Sequence, residues 1–244
     1  MLLPDELKKY GFQRNLKLRE QIWLDYLQDH VLALVYRKNP ELVFRGGTCI
    51  WKVYKGKRFS EDLDLASKKI PNDLDRYLLK ELEFLGFTVT PDKKRETKSM
   101  YRLRLEFDLP NTGSTTLLSL EILKDSVPDG KIKEKELHSP YPDVPVTNVK
   151  SLSLDALLLD KILAVYDRDR PRDMYDLSRL LKRGALASLK EVKEQCKDFT
   201  VEGFEQTLED KRGEWKTLEN LLMGDLPKFE KEKEYIMRKL RKMN

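Results

Sequence analysis

The sequence predicts a protein of the α+β class, in which a mixed sheet flanked by helices is followed by a mostly α-helical C-terminal subdomain. Three observations lead to this prediction. Helical and strand-like periodicities alternate over residues 1–138. Prolines punctuate residues 139–152, and residues 153–244 then show almost only helical spacing of apolar side chains. We therefore expect two subdomains around a cleft, joined by the proline-rich connection.

The first part of the chain alternates between helix and strand. Residues 14–36 have apolar side chains at helical spacing, which predicts a long amphipathic helix. "ELVFR" has the pattern of a short strand that ends at Gly46 and Gly47, and "TCIWKVYKG" has that of a short helix closed by Gly56. "EDLDLAS" alternates acidic residues and leucines with the period of a strand. The predicted order is therefore strand, glycine turn, short helix, strand.

The next predicted elements are one helix and three strands. Pro71 opens the helix and Gly86 ends it, because proline is favoured in the first helical turn and glycine just past the last. "FTVTP", "SMYRLRLEFD" and "TTLLSLEIL" have the composition of strands. The turn sequence "LPNTGS" separates the last two strands, which predicts a β-hairpin.

The second half of the chain is predicted to be helical. Three prolines between residues 139 and 150 favour an extended connection. Ser153 is the expected N-cap of the helix "LDALLLDKILAVYDR", and Pro171 is expected to begin the next helix. The remainder has a helical pattern throughout.

Composition and charge favour a folded protein without a membrane span. Hydrophobic residues make up 40% and charged residues 36% of the chain, which excludes the disordered class. No apolar run approaches the roughly 18 residues of a membrane helix, and the N-terminus has no signal-peptide core. Cys49 and Cys196 have no metal-ligand spacing, so a cytoplasmic location is expected. The net charge of +5 permits a nucleotide or nucleic-acid partner without requiring one.

Asp62 and Asp64 are the first candidate functional residues. Residues two apart on a strand point to the same side, so both carboxylates should project together. At about 4 Å two such charges repel by roughly 4 kcal/mol at an effective dielectric constant near 20. A cation between them removes this cost, and Mg²⁺ prefers carboxylate oxygens, water and substrate phosphates as ligands. The pair therefore predicts a site for Mg²⁺ or Mn²⁺.

Gly46 and Gly47 are expected to hold the phosphates that accompany this metal. Glycine allows backbone N–H groups at a helix start to approach an anion closely, and Thr48 adds a hydroxyl group there. Taken singly, the turn and the acids also fit a simple loop and a solvated strand face. Their combination around one short helix is much more specific, and it predicts a bound nucleoside triphosphate (NTP).

The stretch "FRGGTCIWKVYKGKRFSEDLDLAS" resembles the glycine-pair and DxD motifs of the polymerase-β-like nucleotidyltransferases. Within that superfamily it is most similar to the AbiEii/AbiGii family of toxin nucleotidyltransferases. In that family an arginine, an aromatic residue and a serine precede the aspartates, as Arg58, Phe59 and Ser60 do here. The resemblance implies a polymerase-β-like nucleotidyltransferase core in the N-terminal region. It also implies that the helical domain of residues 153–244 completes the nucleotide site.

A third carboxylate on a neighbouring strand is expected to complete the metal site. The candidates are Glu106, Asp108 and Glu121. We choose Glu121 because its strand is apolar on both sides, whereas Glu106 alternates with Arg102 and Arg104 as on a solvated face. The resembled family also has an acid in a hydrophobic strand, often an aspartate, so glutamate is a departure. The alternative interpretation of Glu121 is a charge on an edge strand.

The helical region contains a second group of candidates. Lys161 lies in a leucine-rich helix, and an arginine-rich turn followed by Arg172, Asp173 and Asp176 comes next. Asp173 alone would complement the dipole of its helix, which leaves Lys161 and Asp176 without a structural role. The pattern resembles the family's fourth motif. That resemblance implies that Lys161 contacts nucleotide phosphate and that an aspartate shapes the site near the base or sugar. Which aspartate does so stays open.

Together these features predict a metal-dependent nucleotidyltransferase that moves an NMP from an NTP to an acceptor. The predicted catalytic residues are Asp62, Asp64, Glu121, Lys161, Asp173 and Asp176, of which the first three hold the metal. The predicted nucleotide-binding residues are Gly46, Gly47, Thr48, Lys161 and Arg172. The resemblance implies a toxin of a toxin-antitoxin or phage-defence system, with tRNA or another RNA as the acceptor and a cognate antitoxin protein as a possible partner.

Other functions are also open to the sequence. A catalytically inactive NTP-binding regulatory module that acts through protein partners is the main alternative. A nuclease is disfavoured because Glu121 and Lys124 are three residues apart, which turns them to opposite sides of a strand. A serine hydrolase is disfavoured because we expect both histidines, His30 and His138, to be surface or loop residues.

Overall fold

The computed structural model describes residues 1–125, 127 and 129–243, which form two compact units. The first unit consists of Met1–Tyr54 and Ser60–Ser151. The second consists of Lys55–Phe59 together with the chain from Leu152 onward. The short segment Lys55–Phe59 therefore belongs with the helices of the second unit, although it precedes the paired aspartates in sequence.

The first unit contains four α-helices, one short 3-10 helix (Asp129–Lys131) and seven strands among the described residues. The α-helices are α1 (Pro4–Gln13), α2 (Arg19–Lys38), α3 (Gly46–Lys52) and α4 (Leu74–Phe84). The strands are β1 (Val43–Arg45), β2 (Leu63–Ala66), β3 (Val89–Glu96), β4 (Met100–Leu109), β5 (Ser114–Leu123), β6 (Ile132–Leu137) and β7 (Thr147–Leu152).

Within the described ranges the strands form one mixed sheet with the order β3-β4-β5-β2-β1-β7-β6. Strands β3, β4 and β5 pair antiparallel in succession, which confirms the predicted hairpin. Strand β2 pairs parallel with β5 and antiparallel with β1, and β1 pairs parallel with β7. The short strands β1 and β2, which the glycine turn and α3 connect, therefore lie in the middle of the sheet.

Alternation along β4 and β5 separates the core from a polar face of the sheet. Leu103 and its register partner Leu120 are buried. Arg102 and its register partner Glu121 lie on the other side and are half-buried. Because side chains alternate along a strand, Glu121 is held at the surface of the sheet by the burial of its apolar neighbours.

Helix α3 is fastened to α2 by buried charges. Lys52, at the end of α3, contacts the carboxylates of Asp25 and Asp29, with 2.6 Å between its Nζ and Asp29 Oδ1. Arg14 binds the same two carboxylates at 2.8 Å and 2.9 Å. Removing one partner from a buried charge network costs about 3–5 kcal/mol. The helix that begins at Gly46 is therefore anchored firmly at its other end.

The second unit is helical, as predicted. Its α-helices are α5 (Leu154–Asp167), α6 (Pro171–Lys182), α7 (Leu189–Gln195), α8 (Val201–Asp210) and α9 (Phe229–Leu240). Ser153 caps α5, because its Oγ accepts the Ala156 N–H at 3.2 Å, and Pro171 is the first residue of α6. Both expectations are confirmed. None of the helices in the described residues has the length and apolar character of a membrane span.

Several expectations differ from the structure. Helix α4 begins at Leu74 and not at Pro71, and α1 and β6 were not predicted. The proline-rich connection is more ordered than expected, because β7 occupies its end and pairs with the distant strand β1. The expectation that His30 lies at the surface or in a loop is wrong. His30 is buried, and its ring packs edge-on against Tyr26 and Phe87 at centroid distances of 4.6 Å and 5.0 Å. His138 is exposed, as expected.

Candidate active site

The turn between β1 and α3 requires glycine at Gly46. Its φ of +73° lies in the left-handed region, which other residues seldom adopt. A Cβ added at Gly46 would lie 2.8 Å from the Cβ and Cγ atoms of Asp64 and would contact its carboxylate more closely still. Asp64 therefore packs directly against bare backbone, so the predicted glycine and the predicted acid meet in the fold.

Thr48 connects the start of α3 to the start of β2. Its side chain is fully buried, and its hydroxyl donates a hydrogen bond to the backbone carbonyl of Asp62. Gly47, also buried, lies in the first turn of α3. In this arrangement the Thr48 hydroxyl holds the chain at Asp62. The predicted contact between Thr48 and phosphate stays a prediction.

The sheet places two of the three predicted metal-binding acids side by side. Asp64 and Glu121 are register partners on the parallel strands β2 and β5, and neighbouring strands lie about 4.8 Å apart. Asp62 comes just before β2, two residues from Asp64, and all three acids are half-buried. Among the described residues, no group of three or more potential His, Cys, Asp or Glu ligands is arranged to hold a metal ion. The structure thus forms a carboxylate pair, with Asp62 close by in sequence.

A row of charged residues crosses the sheet at the level of this pair. The register places Arg45, Asp64, Glu121, Arg102 and Arg95 on five successive strands, in that order. Arg102 Nε lies 2.8 Å from Glu121 Oε1. Two neighbouring acids are therefore flanked by an arginine position on each side. Arg102 is not among the residues predicted from the sequence, because its alternation with Glu106 is typical of an ordinary solvated face.

The carboxylate pair fits a divalent cation in its chemistry. Oxygen ligands from two strands, together with water and phosphate oxygens, form the ligand set that Mg²⁺ prefers. Because Gly46 has no Cβ, its backbone lies directly beside Asp64. Asp64 and Glu121 could hold such an ion, and Asp62 is the acid nearest in sequence that could join them.

In the second unit, Lys161 lies between two buried aspartates. Its Nζ is 2.7 Å from Asp173 Oδ1 and 2.9 Å from Asp176 Oδ2, and all three side chains are buried. Burial lowers the pKa of Lys161, but the charges of Asp176 and Asp173 outweigh it and raise that pKa above its ordinary value. The structure therefore brings together three of the predicted residues as a buried ionic cluster.

The two aspartates of this cluster are held in the ionised form. Burial raises the pKa of Asp173, but Lys161 and Arg168 outweigh it, and the pKa falls to about 2. The pKa of Asp176 is also lowered, because Arg58 and Lys161 outweigh the effect of burial. Both carboxylates are thus charged at neutral pH, and each has an opposite charge in direct contact.

Arg58 explains the arginine that precedes the aspartates in the motif. Its Nε and Nη2 donate to Asp176 Oδ1 and Oδ2 at 3.0 Å and 2.8 Å, a bidentate pair buried within the second unit. Its Nη1 also donates to the carbonyl of Phe59 at 2.6 Å. Arg58 thereby fixes the segment that ends three residues before Asp62. The partner of Arg58 lies far away in sequence, so the sequence alone did not reveal this role.

Comparison with known proteins identifies the family. A family model described as nucleotidyl transferase AbiEii toxin, type IV TA system, matches residues 33–238. The chain belongs to the AbiEii family. The matched range includes all predicted site residues, from Gly46 to Asp176. No curated protein matches the chain significantly.

Two crystal structures from Helicobacter pylori resemble this AbiEii family member. One is of a protein provisionally assigned as a nucleotidyltransferase, with a TM-score of 0.63 and 16% identity over 92% of this chain and 95% of that one. The other is of the protein JHP933, with a TM-score of 0.59 and 17% identity over 93% of this chain and 92% of that one. At such identities the likeness shows the fold alone. It confirms the predicted fold class.

Proposed function

We propose that this AbiEii family member is a metal-dependent nucleotidyltransferase that transfers an NMP from an NTP to RNA, with tRNA as the first acceptor to test. The observation that carries the proposal is the contact of Gly46 with Asp64, whose register partner is Glu121. A bare backbone beside two neighbouring carboxylates suits a nucleotide whose phosphates share a cation with the protein.

Each candidate site residue of the first unit has a role in this proposal. The backbone at Gly46 and Gly47 receives the phosphates, and Asp62, Asp64 and Glu121 hold Mg²⁺ or Mn²⁺. The bound ion would neutralise charge on the phosphates during transfer. Thr48 acts as a positioning residue, because its hydroxyl holds the Asp62 carbonyl.

The transfer itself is an in-line displacement at the α-phosphorus of the NTP. The oxygen of an acceptor hydroxyl forms a bond to this phosphorus, while the bond to the oxygen that bridges to the β-phosphate breaks. Pyrophosphate leaves with that bridging oxygen, and the hydroxyl proton passes to a nearby carboxylate or to water. The chain's contribution is to align the two reactants, since an in-line geometry lowers the entropic barrier.

The second unit supplies positioning and a cation. Asp173 and Asp176 already balance the charge of Lys161, so we propose that this cluster holds helices α5 and α6 in place. The contact of Lys161 with phosphate, which the resemblance implied, stays a prediction. Arg172 is half-buried and, among the described residues, has no carboxylate partner, so its charge is available to an anion.

The partners follow from the family. Its description as the toxin of a type IV TA system supports a cognate antitoxin protein as a partner. We propose that the enzyme acts in the cytoplasm, where NTPs and tRNA are available.

Label transfer tests the proposal. Purified protein is incubated with each α-labelled NTP, total RNA and Mg²⁺, and the RNA is separated on a gel. We expect labelled RNA with at least one NTP, no label with a chelator, and at least about a 100-fold loss in Asp64→Ala. Glu106→Gln, which removes a carboxylate from the same face of the sheet, is the matched control and should stay active.

The same experiment separates the main alternative. If NTPs bind to the folded protein but no acceptor is labelled under any condition, the chain is an NTP-binding regulatory module rather than a transferase. The lack of a complete ligand group among the described residues is the observation that keeps this alternative open. Mg²⁺-dependent label transfer that Asp64→Ala abolishes would exclude it.

A further inference from the structure

Helices α6 and α9 of the second unit together present a positively charged surface around one tyrosine. We call it the cation–tyrosine stripe, and it consists of Lys182 from α6 and of Lys231, Tyr235, Arg238 and Lys239 from α9. The α9 residues recur at intervals of four, three and one, which places them on one face of the helix. The three cations on α9 are exposed.

The ring of Tyr235 is surrounded by cations. Lys182 Nζ, Arg238 Cζ and Lys239 Nζ lie 5.2 Å, 5.5 Å and 5.8 Å from the ring centroid. These distances are within the range of cation–π attraction, which orients the long side chains around the ring. The half-buried ring thus forms a flat apolar surface among cations, of which Lys182 is itself paired with Glu232.

The base of this surface is rigid. Lys182 Nζ lies 2.6 Å from both carboxylate oxygens of Glu232, and the Ser178 hydroxyl donates to the same carboxylate. The Glu232 carboxylate and its bond to Ser178 are buried, whereas Lys182 is exposed on the outer side of the same carboxylate. A rigid support lowers the entropic cost of binding a partner on this surface.

The α9 cations of the stripe differ from those on the neighbouring face of the same helix, which are paired with carboxylates. There, Lys233 pairs with Glu209 at 2.8 Å and Arg241 pairs with Glu205 at 2.8 Å. Within the part of the chain that the structure describes, the three stripe cations on α9 have no carboxylate partner. One face of the helix is therefore neutralised inside the protein, whereas the other has three cations against one exposed acid, Glu234, and keeps a positive charge for an external anion.

We propose that the cation–tyrosine stripe binds a single-stranded segment of RNA. This inference rests on the proposed function, in which RNA is the acceptor. Phosphates would contact Lys231, Arg238 and Lys239, and one base would stack on Tyr235. The Tyr235 ring favours a single strand, because a base face is free to stack only when it is not already in a duplex. It also favours nucleic acid over an acidic protein, since an aromatic platform between cations matches a base between phosphates.

Fluorescence anisotropy with a labelled single-stranded RNA of about 12 nucleotides tests this proposal in the absence of NTP and divalent ions. Arg238→Ala/Lys239→Ala should weaken binding at least about tenfold and reduce the salt slope by about 1.4, or 0.7 per lost phosphate contact. Tyr235→Ala should weaken binding about 5- to 100-fold, whereas Tyr235→Phe should bind like the wild type. The matched control is Lys190→Ala/Lys193→Ala, which removes two exposed cations from α7 and should bind normally.

Three results would overturn the proposal: wild-type affinity in Arg238→Ala/Lys239→Ala, an equal loss in the α7 control, or wild-type affinity in Tyr235→Ala. Tighter binding of an RNA duplex or of polyglutamate than of the single strand would also contradict it. Thermal unfolding by circular dichroism checks that each variant is folded. Asp64→Ala should bind RNA normally although it loses transfer. If the wild type binds RNA through the stripe but transfers no label to any acceptor, the proposed enzyme is contradicted and the stripe is not.

Discussion

Asp64 of β2 and Glu121 of β5 are register partners on adjacent parallel strands, in the middle of the sheet. Gly46 packs against the first of these acids, and Arg102 pairs with the second. The two acids come from different parts of the chain, so only the pairing of β2 with β5 brings them together. If they share one cation, their contributions to catalysis must depend on each other.

Asp64→Asn and Glu121→Gln should each reduce NMP transfer at least about 100-fold, and the double variant should lose little more than either single variant. Residues that act on the same ion are not additive, because the first substitution already removes the function of the second. Initial rates of label transfer for the four proteins measure this coupling. Fully additive losses, or a loss of the same size in Glu106→Gln, would contradict a shared site.

Gly46→Ala should both destabilise the protein and impair transfer. The left-handed φ costs about 1–2 kcal/mol for alanine, and the new Cβ displaces the Asp64 carboxylate at additional cost. We expect transfer to fall at least about tenfold, since a displacement of roughly 1 Å in a catalytic group is enough for such a loss. Urea unfolding and label transfer are the two measurements.

Gly113→Ala is the matched control for Gly46→Ala. Gly113 has a φ of +65°, but no atom lies within 4 Å of an added Cβ. This variant should therefore show only the backbone cost and should keep its activity. Equal losses of stability and activity in both variants would show that the contact with Asp64 has no role.

Asp176→Asn should lower the free energy of unfolding by about 3–5 kcal/mol. The substitution leaves the buried cations Arg58 and Lys161 with too little negative charge, and unpaired buried charges are costly. The exposed pair of Lys150 and Glu41 offers a contrast, since Lys150→Gln should change stability by less than about 1 kcal/mol. Urea unfolding compares them. A cost below about 1 kcal/mol for Asp176→Asn would contradict the buried cluster.

The stability of the protein should fall in acid through Asp173. Its pKa is about 2 in the folded protein, below the ordinary value of 3.8. A carboxyl whose pKa is depressed by folding stabilises the protein fully above the ordinary value, and this contribution is lost as the pH falls towards the folded pKa. It amounts to about 2 kcal/mol. The stability difference between wild type and Asp173→Asn should therefore shrink between about pH 5 and pH 2, and a constant difference would contradict the ion pairs.

Local patterns in the sequence predicted much of the fold and part of the site. The glycine pair, the alternating acids, the N-cap Ser153 and the first-turn Pro171 each act through neighbouring residues, so they are visible without coordinates. Glu121 was chosen as a candidate for a similar reason, since an acid in an apolar strand has no local packing role. We expected Glu121 to lie near Asp64 because a metal site needs a third ligand. The strand register places these two residues side by side.

The features that were missed depend on distant parts of the chain. Strand β7 has few strand-like residues, and its pairing with β1 stabilises it. In the sequence, Arg102 and Arg58 have the pattern of surface residues. In the structure, the strand register pairs Arg102 with Glu121, and Arg58 pairs with the buried Asp176. His30 is enclosed by aromatic rings from α2 and from the segment after α4, which no local pattern could indicate.

The most direct test of the proposed site is the binding of Mn²⁺, followed by the electron paramagnetic resonance signal of the free ion. Wild-type protein with a non-hydrolysable NTP analogue should bind Mn²⁺, Glu121→Gln should bind it at least about tenfold more weakly, and Glu106→Gln should bind it normally. Unchanged Mn²⁺ binding in both Glu121→Gln and Asp64→Asn would contradict the claim that these neighbouring acids hold the metal and the nucleotide.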